Sequence, residues 1–189
     1  MTATTLEPRE QGYTLVELIV YSALLMIVVA VVAGLFISAL TTTERVRGMT
    51  AATTSAQVVA DSIETNVRNS TDFLLTTPSG TDQFLVARTA KRDATLSWQC
   101  VAWYYSAAGG GSIHFKRSHA AILAPTSTEL QSWTLVQQGM KPVSGTTIFS
   151  TSGQKLAMSF TSIVGDHPPV VISSSATSRA GASGNLTCF

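Results

Sequence analysis

The sequence predicts an α+β fold in which one long N-terminal helix precedes a mostly antiparallel β-sheet head. Three observations lead to this prediction. Residues 18–37 are apolar apart from Ser22. No proline occurs between Pro8 and Pro78, and apolar residues beyond the first run recur three or four positions apart, as on one face of a helix. After Pro78 the apolar residues alternate, which is the period of a strand.

The first apolar run is long enough to cross a bilayer. At about 1.5 Å per residue, residues 18–37 would span roughly the 30 Å hydrocarbon core. Glu17 lies at the polar edge of this run, where a carboxylate is costly and therefore indicates a functional role. A secretory signal peptide would have a shorter apolar core and a clear small-residue cleavage site, for which Ser38-Ala39-Leu40 is a weak candidate. An uncleaved anchor fits the length but does not explain Glu17.

The residues before the run are Gly12-Tyr13-Thr14-Leu15-Val16-Glu17. This arrangement resembles the processing site of type IV prepilins and type II secretion pseudopilins. In that family a prepilin peptidase cuts after the glycine and methylates the new amino terminus, and a glutamate is the fifth mature residue. The resemblance implies cleavage between Gly12 and Tyr13 and N-methylation of Tyr13. It also implies that Glu17 sets the register of assembly by pairing with the amino terminus of a neighbouring or the same subunit.

We expect four segments. Residues 1–12 form the leader peptide, 13–40 a transmembrane and filament-core helix, 41–75 its amphipathic continuation, and 76–189 an extracytoplasmic β-rich head. The helix is predicted to end near Thr71, because small or apolar residues keep helical spacing up to there and beyond. These residues are Val46, Met49, Thr53, Ala56, Val59, Ile63, Val67 and Leu74.

The clearest strand predicted in the head starts at Leu96. Its even-numbered residues to Tyr104 form an apolar face and its odd-numbered residues a more mixed face. Three glycines at 109–111 predict a turn into a returning strand at 113–117. The whole hairpin, residues 101–117, resembles the "tyrosine strand, turn, arginine strand" hairpin of larger minor pilins and J-type minor pseudopilins.

Further strands are predicted in the rest of the head. Alternating Leu156, Met158, Phe160 and Val164 indicate one strand, and shorter candidates lie at 83–88, 130–137, 146–150 and 169–173. Residues 173–184 are rich in Ser, Ala, Thr and Gly and are predicted to form a surface loop.

The chain contains two cysteines, Cys100 and Cys188. An even count in a domain expected outside the cytoplasm favours a disulfide, and prepilin-like proteins often fix their C-terminal region in this way. Two unpaired thiols are the alternative.

The sequence predicts no catalytic residues, no metal site and no cofactor, so we expect the protein not to be an enzyme. The three histidines, His114, His119 and His167, lack metal-ligand spacing, and no nucleophile elbow or phosphate-binding glycine loop occurs. Charged residues are only 12% of the chain and the net charge is +1, which argues against a broad nucleic-acid-binding surface. DNA is a weaker candidate partner, because the pairs at 91–92 and 116–117 would form a basic patch only if adjacent. Core packing explains most of the aromatic residues better than an exposed recognition patch does.

The function predicted from the resemblance is that of a structural subunit, with a preference for a minor pilin or minor pseudopilin. Its partners would be other subunits, the prepilin peptidase, the membrane assembly platform and, before assembly, membrane lipid. The protein would be a single-pass membrane protein with its head outside the cytoplasm, and later part of a filament that serves secretion, adhesion or DNA uptake. The alternative is a membrane-anchored extracytoplasmic binding protein or enzyme, which would not require cleavage after Gly12.

Overall fold

The computed structural model of the protein describes residues 14–91, 97–163, 168–178 and 187–189. The chain divides between Arg45 and Val46 into two compact units. The elements confirm the predicted α+β class, with a long apolar helix followed by antiparallel strands. In chain order they are α1 (Leu15–Arg68), β1 (Ser70–Thr76), β2 (Gln83–Lys91), β3 (Ser97–Ser106), a 3₁₀ turn (Ala108–Gly110), β4 (Ser112–Ser118), α2 (Ser127–Leu130), β5 (Thr134–Gln138), β6 (Met140–Pro142), β7 (Phe149–Ser152), β8 (Lys155–Ser162) and β9 (Val170–Thr177).

Within the first unit, α1 begins directly after Thr14. The Thr14 side-chain oxygen accepts a hydrogen bond from the backbone N–H of Glu17 at 3.3 Å, which satisfies one of the free donors of the first turn. Hydroxyl groups along this part of the helix donate to carbonyls three or four residues earlier. Ser22 donates to Ile19 at 2.9 Å, and Thr42 donates to Ser38 at 2.8 Å. These polar side chains therefore need no partner outside the helix.

Within the second unit, α1 buries one stripe of small and medium-sized side chains against the sheets. Small residues let the helix backbone approach the strands closely, and the spacing of three or four places all of the stripe on one face. The buried residues are Ala52, Ala56, Val59, Ala60, Ile63 and Val67.

The predicted end of the helix near Thr71, and with it the helical segment 41–75, extends too far. Helix α1 ends at Arg68, and β1 starts at Ser70, whose hydroxyl donates to the carbonyl of Val67 at 2.7 Å. The seven-residue interval from Val67 to Leu74 fits helical spacing only by coincidence. Phe73 and Leu75 face the core instead, and Leu74 is 40% exposed, which is the alternation of a strand.

Strands β1 to β5 form one antiparallel sheet in chain order, with β3 at its centre. Trp103 of β3 lies opposite Leu85 of β2 and Phe115 of β4. Both faces of β3 are buried, although the sequence predicted a mixed odd-numbered face. The odd-numbered residues from Val101 to Tyr105 join the main core with α1, whereas the even-numbered ones from Cys100 to Tyr104 join a second cluster. This second cluster consists of Phe84, Val86, Cys100, Ala102, Tyr104, Ile122, Trp133 and Cys188.

The second sheet is organised around β8. Strand β9 pairs along one edge of β8, while β7 and the short β6 pair with successive parts of the other edge. Leu156, Met158 and Phe160 of β8 are buried, as their alternation predicted, and Val164 lies outside the described residues.

The predictions of shorter strands were correct in location and inaccurate in extent. Strand β9 includes residues 173–177, which the sequence assigned to a loop, because pairing with β8 stabilises the backbone even where the side chains are serines. Residues 179–184 of that predicted loop lie outside the described residues. The predicted strand at 130–137 begins later, because a capping box at Thr126 and Glu129 forms α2 first. The sequence did not predict β6.

A buried glutamine connects the two sheets. Gln83 of β2 is 1% exposed, and its Nε2 donates to the carbonyl of Phe149 at 2.9 Å. Its Oε1 accepts from the backbone N–H groups of Ile148 at 2.7 Å and Phe149 at 2.9 Å. One side chain thus replaces the strand pairing that is missing between β2 and β7.

The turn between β3 and β4 requires glycine at position 111. Gly111 has a φ of +90°, and a Cβ built there would lie 1.7 Å from the carbonyl oxygen of Met140. Its own carbonyl accepts from the N–H groups of Gly139 at 2.8 Å and Met140 at 3.2 Å. The hairpin turn therefore fixes the junction between β5 and β6 through backbone contact that only glycine permits.

Candidate functional site

The start of α1 carries a carboxylate and a phenol on one face. Glu17 lies in the first turn and is half-buried, and Tyr21 follows one turn later. The Tyr21 hydroxyl donates to Glu17 Oε1 at 3.0 Å. Residues four apart are neighbours on a helix surface, so this contact follows directly from the spacing. The sequence predicted a role for Glu17 and none for Tyr21, although the interval of four residues between them is visible in the sequence.

Beyond Glu17 the helix has an apolar surface that stays exposed among the described residues. Every large apolar side chain from Leu18 to Ile37 is at least half exposed, with Val20 at 50% the least exposed. Helix α1 is long and apolar enough to cross a membrane, a property that membrane anchors and signal sequences share. None of residues 14–45 is buried, whereas the later part of the same helix contributes six buried residues to the core of the second unit.

The predicted cleavage and methylation residues, Gly12 and Tyr13, lie outside the described residues. The described part of the site therefore consists of Thr14, Glu17, Tyr21 and the apolar surface that follows.

Residues 8–33 match the protein family described as the prokaryotic N-terminal methylation motif. The chain carries a type IV prepilin-like signal. The match includes Gly12, Tyr13 and Glu17 together with much of the apolar helix, and it confirms the resemblance predicted from the sequence. This signal implies processing by a prepilin peptidase and assembly with other pilin-like subunits. None of the curated proteins and none of the solved structures matches the chain at a significant level.

The head contains the predicted disulfide. Cys100 in β3 is bonded to Cys188, and the two Cα atoms lie 5.4 Å apart across a sequence separation of 88. Both residues are buried in the second cluster, at 0% and 1% exposure. The backbone N–H of Ile122 also donates to the carbonyl of Cys188 at 3.2 Å. The bond and this hydrogen bond fix residues near 188 to the central strand.

The aromatic side chains of the head are mostly core residues. Trp103, Tyr104, Tyr105 and Trp133 are 0–6% exposed, and Trp98 is half-buried with the Arg88 guanidinium 5.8 Å from its ring centre. Packing of the two cores therefore accounts for them, as predicted from the sequence.

Tyr104 also anchors the segment between β1 and β2. Its hydroxyl donates to Asp82 Oδ2 at 2.8 Å, and Asp82 Oδ1 accepts from the N–H of Ala107 at 2.8 Å. Burial, together with the hydrogen bond and negative charge of Asp82, raises the pKa of Tyr104 to about 12. The phenol therefore stays protonated and keeps donating throughout the physiological pH range.

The histidines do not form a cluster in the described part of the chain. His114 lies on β4 with its Nε2 3.2 Å from Ser112 Oγ, and its burial lowers the pKa of the imidazole. His119 follows β4 and lines a separate cleft, and His167 lies outside the described residues. Among the described residues, no group of three or more His, Cys, Asp or Glu side chains is arranged to hold a metal ion.

Among the described residues, one residue of each basic pair, at 91–92 and at 116–117, lies on a shared surface. Lys91 and Arg117 line the same cleft of about 470 Å³, together with His119 and Asn66. Lys116 lies on the other face of β4, where its Nζ is 5.4 Å from the centre of the Trp133 ring. Arg92 lies outside the described residues. The four-residue patch considered from the sequence is therefore divided between two faces of the sheet.

Proposed function

We propose that the protein is a structural subunit of a type IV pilus-like filament or a type II secretion pseudopilus, and that it is a minor rather than a major subunit. The single observation that supports this most strongly is the methylation motif at residues 8–33, which continues into a helix whose residues 14–45 are all unburied. The protein acts through assembly and not as an enzyme.

Maturation begins at the leader. A prepilin peptidase hydrolyses the Gly12–Tyr13 peptide bond, and the new amino group of Tyr13 is then N-methylated. Before assembly, residues 13–40 anchor the subunit in the membrane with the head outside the cytoplasm. The exposed apolar side chains from Leu18 to Ile37 are suited to lipid, since each would otherwise leave its surface in water.

Assembly transfers the helix from lipid into a bundle of similar helices, a step carried out by the membrane assembly platform. Apolar contacts change little in this step, because lipid tails are as apolar as the side chains. Glu17 is the exception, because a buried carboxylate needs a partner or a proton. The positive amino terminus of a neighbouring or the same subunit supplies that partner. Such a pair specifies register more reliably than it adds net stability.

Two features of the head support a minor, exported subunit. Strands β3 and β4 form the hairpin at 101–117 that resembles the one in larger minor pilins and J-type minor pseudopilins. The Cys100–Cys188 disulfide fits an oxidising compartment outside the cytoplasm.

Processing provides the direct test. Mass spectrometry of membrane and sheared-filament fractions should find a mature chain that begins at Tyr13, with a mass increase for one methyl group. Gly12→Leu should block this cleavage while the chain stays in the membrane. Gly34→Ala is the matched control, because a Cβ at Gly34 meets no atom within 4 Å and the site lies far along the helix from the junction. Mainly intact chains starting at Met1, or cleavage after residue 39, would contradict the proposal.

A further inference from the structure

The contact between Tyr21 and Glu17 divides the two oxygens of the carboxylate into different roles. Oε1 accepts the Tyr21 hydroxyl at 3.0 Å. Oε2 forms no hydrogen bond to any residue that the structure describes. The Thr14 side chain simultaneously fixes the backbone N–H of Glu17. Among the described residues, the carboxylate therefore has a hydrogen-bond partner for Oε1 and none for Oε2.

Tyr21 is well suited to donate a hydrogen bond to Glu17 in this apolar part of the helix. Within residues 18–37 the hydroxyl-bearing side chains are Tyr21 and Ser22. The Ser22 hydroxyl is already used, because it donates to the carbonyl of Ile19 at 2.9 Å. A tyrosine also suits the setting, since its ring packs among apolar groups while its hydroxyl seeks a polar partner.

We propose that Tyr21 is a positioning residue for Glu17: its phenol holds Oε1 and presents Oε2 to the amino group of an assembling subunit. In lipid, before a partner arrives, the hydrogen bond compensates part of the desolvation of the carboxylate. During assembly it fixes one rotamer of Glu17, so less side-chain entropy is lost when the charge pair forms. This inference rests on the proposed function and adds a second residue to its assembly site.

The test compares Tyr21→Phe with Ser22→Ala in the full-length protein. Both substitutions remove one hydroxyl at nearly the same depth, but only the first removes the donor to Glu17. Both variants should be processed and inserted like the wild type. Tyr21→Phe should enter sheared filaments roughly tenfold less, the loss expected for one hydrogen bond to a charged group, and Ser22→Ala should enter them normally.

A spectroscopic measurement separates positioning from general packing. The ¹³C NMR signal of the Glu17 carboxyl carbon, recorded on glutamate-labelled protein in lipid bilayers and assigned by its loss in Glu17→Ala, reports the hydrogen bond before assembly. Tyr21→Phe should shift this signal, and Ser22→Ala should leave it in place.

The outcomes distinguish this inference from the proposed function. If Glu17→Ala assembles like the wild type, the assembly role of the carboxylate is wrong and the role of Tyr21 is wrong with it. If Glu17→Ala fails to assemble while Tyr21→Phe assembles normally or leaves the carboxyl signal unchanged, the Tyr21 inference alone is overturned.

Discussion

Residues 14–45 and residues 46–189 both carry many apolar side chains, but in opposite surroundings. In the first unit Leu25 is 64% exposed, whereas in the second unit Val59, on the same helix, is 1% exposed. The second unit buries apolar side chains of both sheets and of one face of α1 in its main core, and it buries others in the second cluster. In the first unit, none of the described residues is buried. The comparison teaches that one helix can serve two purposes: its later part packs on the sheets of the head, and its first part is the one that our proposal places in lipid or among other subunits.

Because of this contrast, substitutions in the two units should change different measured quantities. Changes in the first unit should affect assembly and leave the unfolding of the head unchanged. Changes in the second unit should affect unfolding and leave membrane insertion unchanged.

The largest effect is expected from Glu17→Ala. Membrane insertion should stay intact or improve slightly, because a costly carboxylate is removed, and cleavage after Gly12 should persist. Incorporation into filaments should fall by orders of magnitude, because losing one half of a buried charge pair costs about 3–5 kcal/mol. Quantitative immunoblots of membrane and sheared fractions measure both quantities. A Glu17→Ala protein that is processed, inserted and assembled normally would refute the register role.

The disulfide should contribute a free energy of similar size, but its effect is confined to the unfolding of the head. In the chain-entropy model, closing a loop of this length stabilises the folded state by about 4–5 kcal/mol. The double variant Cys100→Ala, Cys188→Ala should therefore unfold at a clearly lower denaturant concentration while it still inserts into membranes. Thiol labelling of the exported wild type under denaturing, non-reducing conditions is the companion measurement, and two freely labelled cysteines would exclude the bond.

A smaller loss is expected from Gln83→Leu. The substitution leaves two buried N–H groups and one carbonyl of residues 148–149 without their partner, which should cost about 3 kcal/mol. Denaturant unfolding of the full chain measures the loss. Gln137→Leu is the control, because the amide of Gln137 bonds to the adjacent carbonyl of Gln138 in an exposed position. Equal stability of the two variants would show that Gln83 does not connect the sheets.

Much of the fold could be predicted because it depends on local pattern. The apolar run, the absence of proline and the carboxylate at position 17 predicted α1 and the candidate site. Alternation around Trp103, with three glycines after it, predicted the β3–β4 hairpin. The cysteine count predicted the bond between Cys100 and Cys188.

The remainder depends on contacts between residues far apart in sequence. The end of α1 is determined by the pairing of β1 with β2, which overrides the helical spacing of Val67 and Leu74. Strand β9 depends on β8 for its backbone partners, so its serine-rich composition gave no indication of it. Gln83 resembles a surface residue in the sequence, and its role exists only where β7 approaches β2. Tyr21 is different, because four-residue spacing alone was sufficient to find it.

The internal hydrogen bonds of the helix hydroxyls have a consequence for how subunits find their places. Ser22, Thr41 and Thr42 return their hydrogen bonds to the helix backbone, so outwardly they act as small apolar groups. An apolar cylinder of this kind slides and rotates against its neighbours with little change in energy. A single polar side chain such as Glu17 restricts both the sliding and the rotation, because its contact defines one axial height and one angular direction. Pilin-like subunits that each carried such a carboxylate at the same depth would then be added by the same rise and rotation, and a repeated step of rise and rotation gives a helical arrangement.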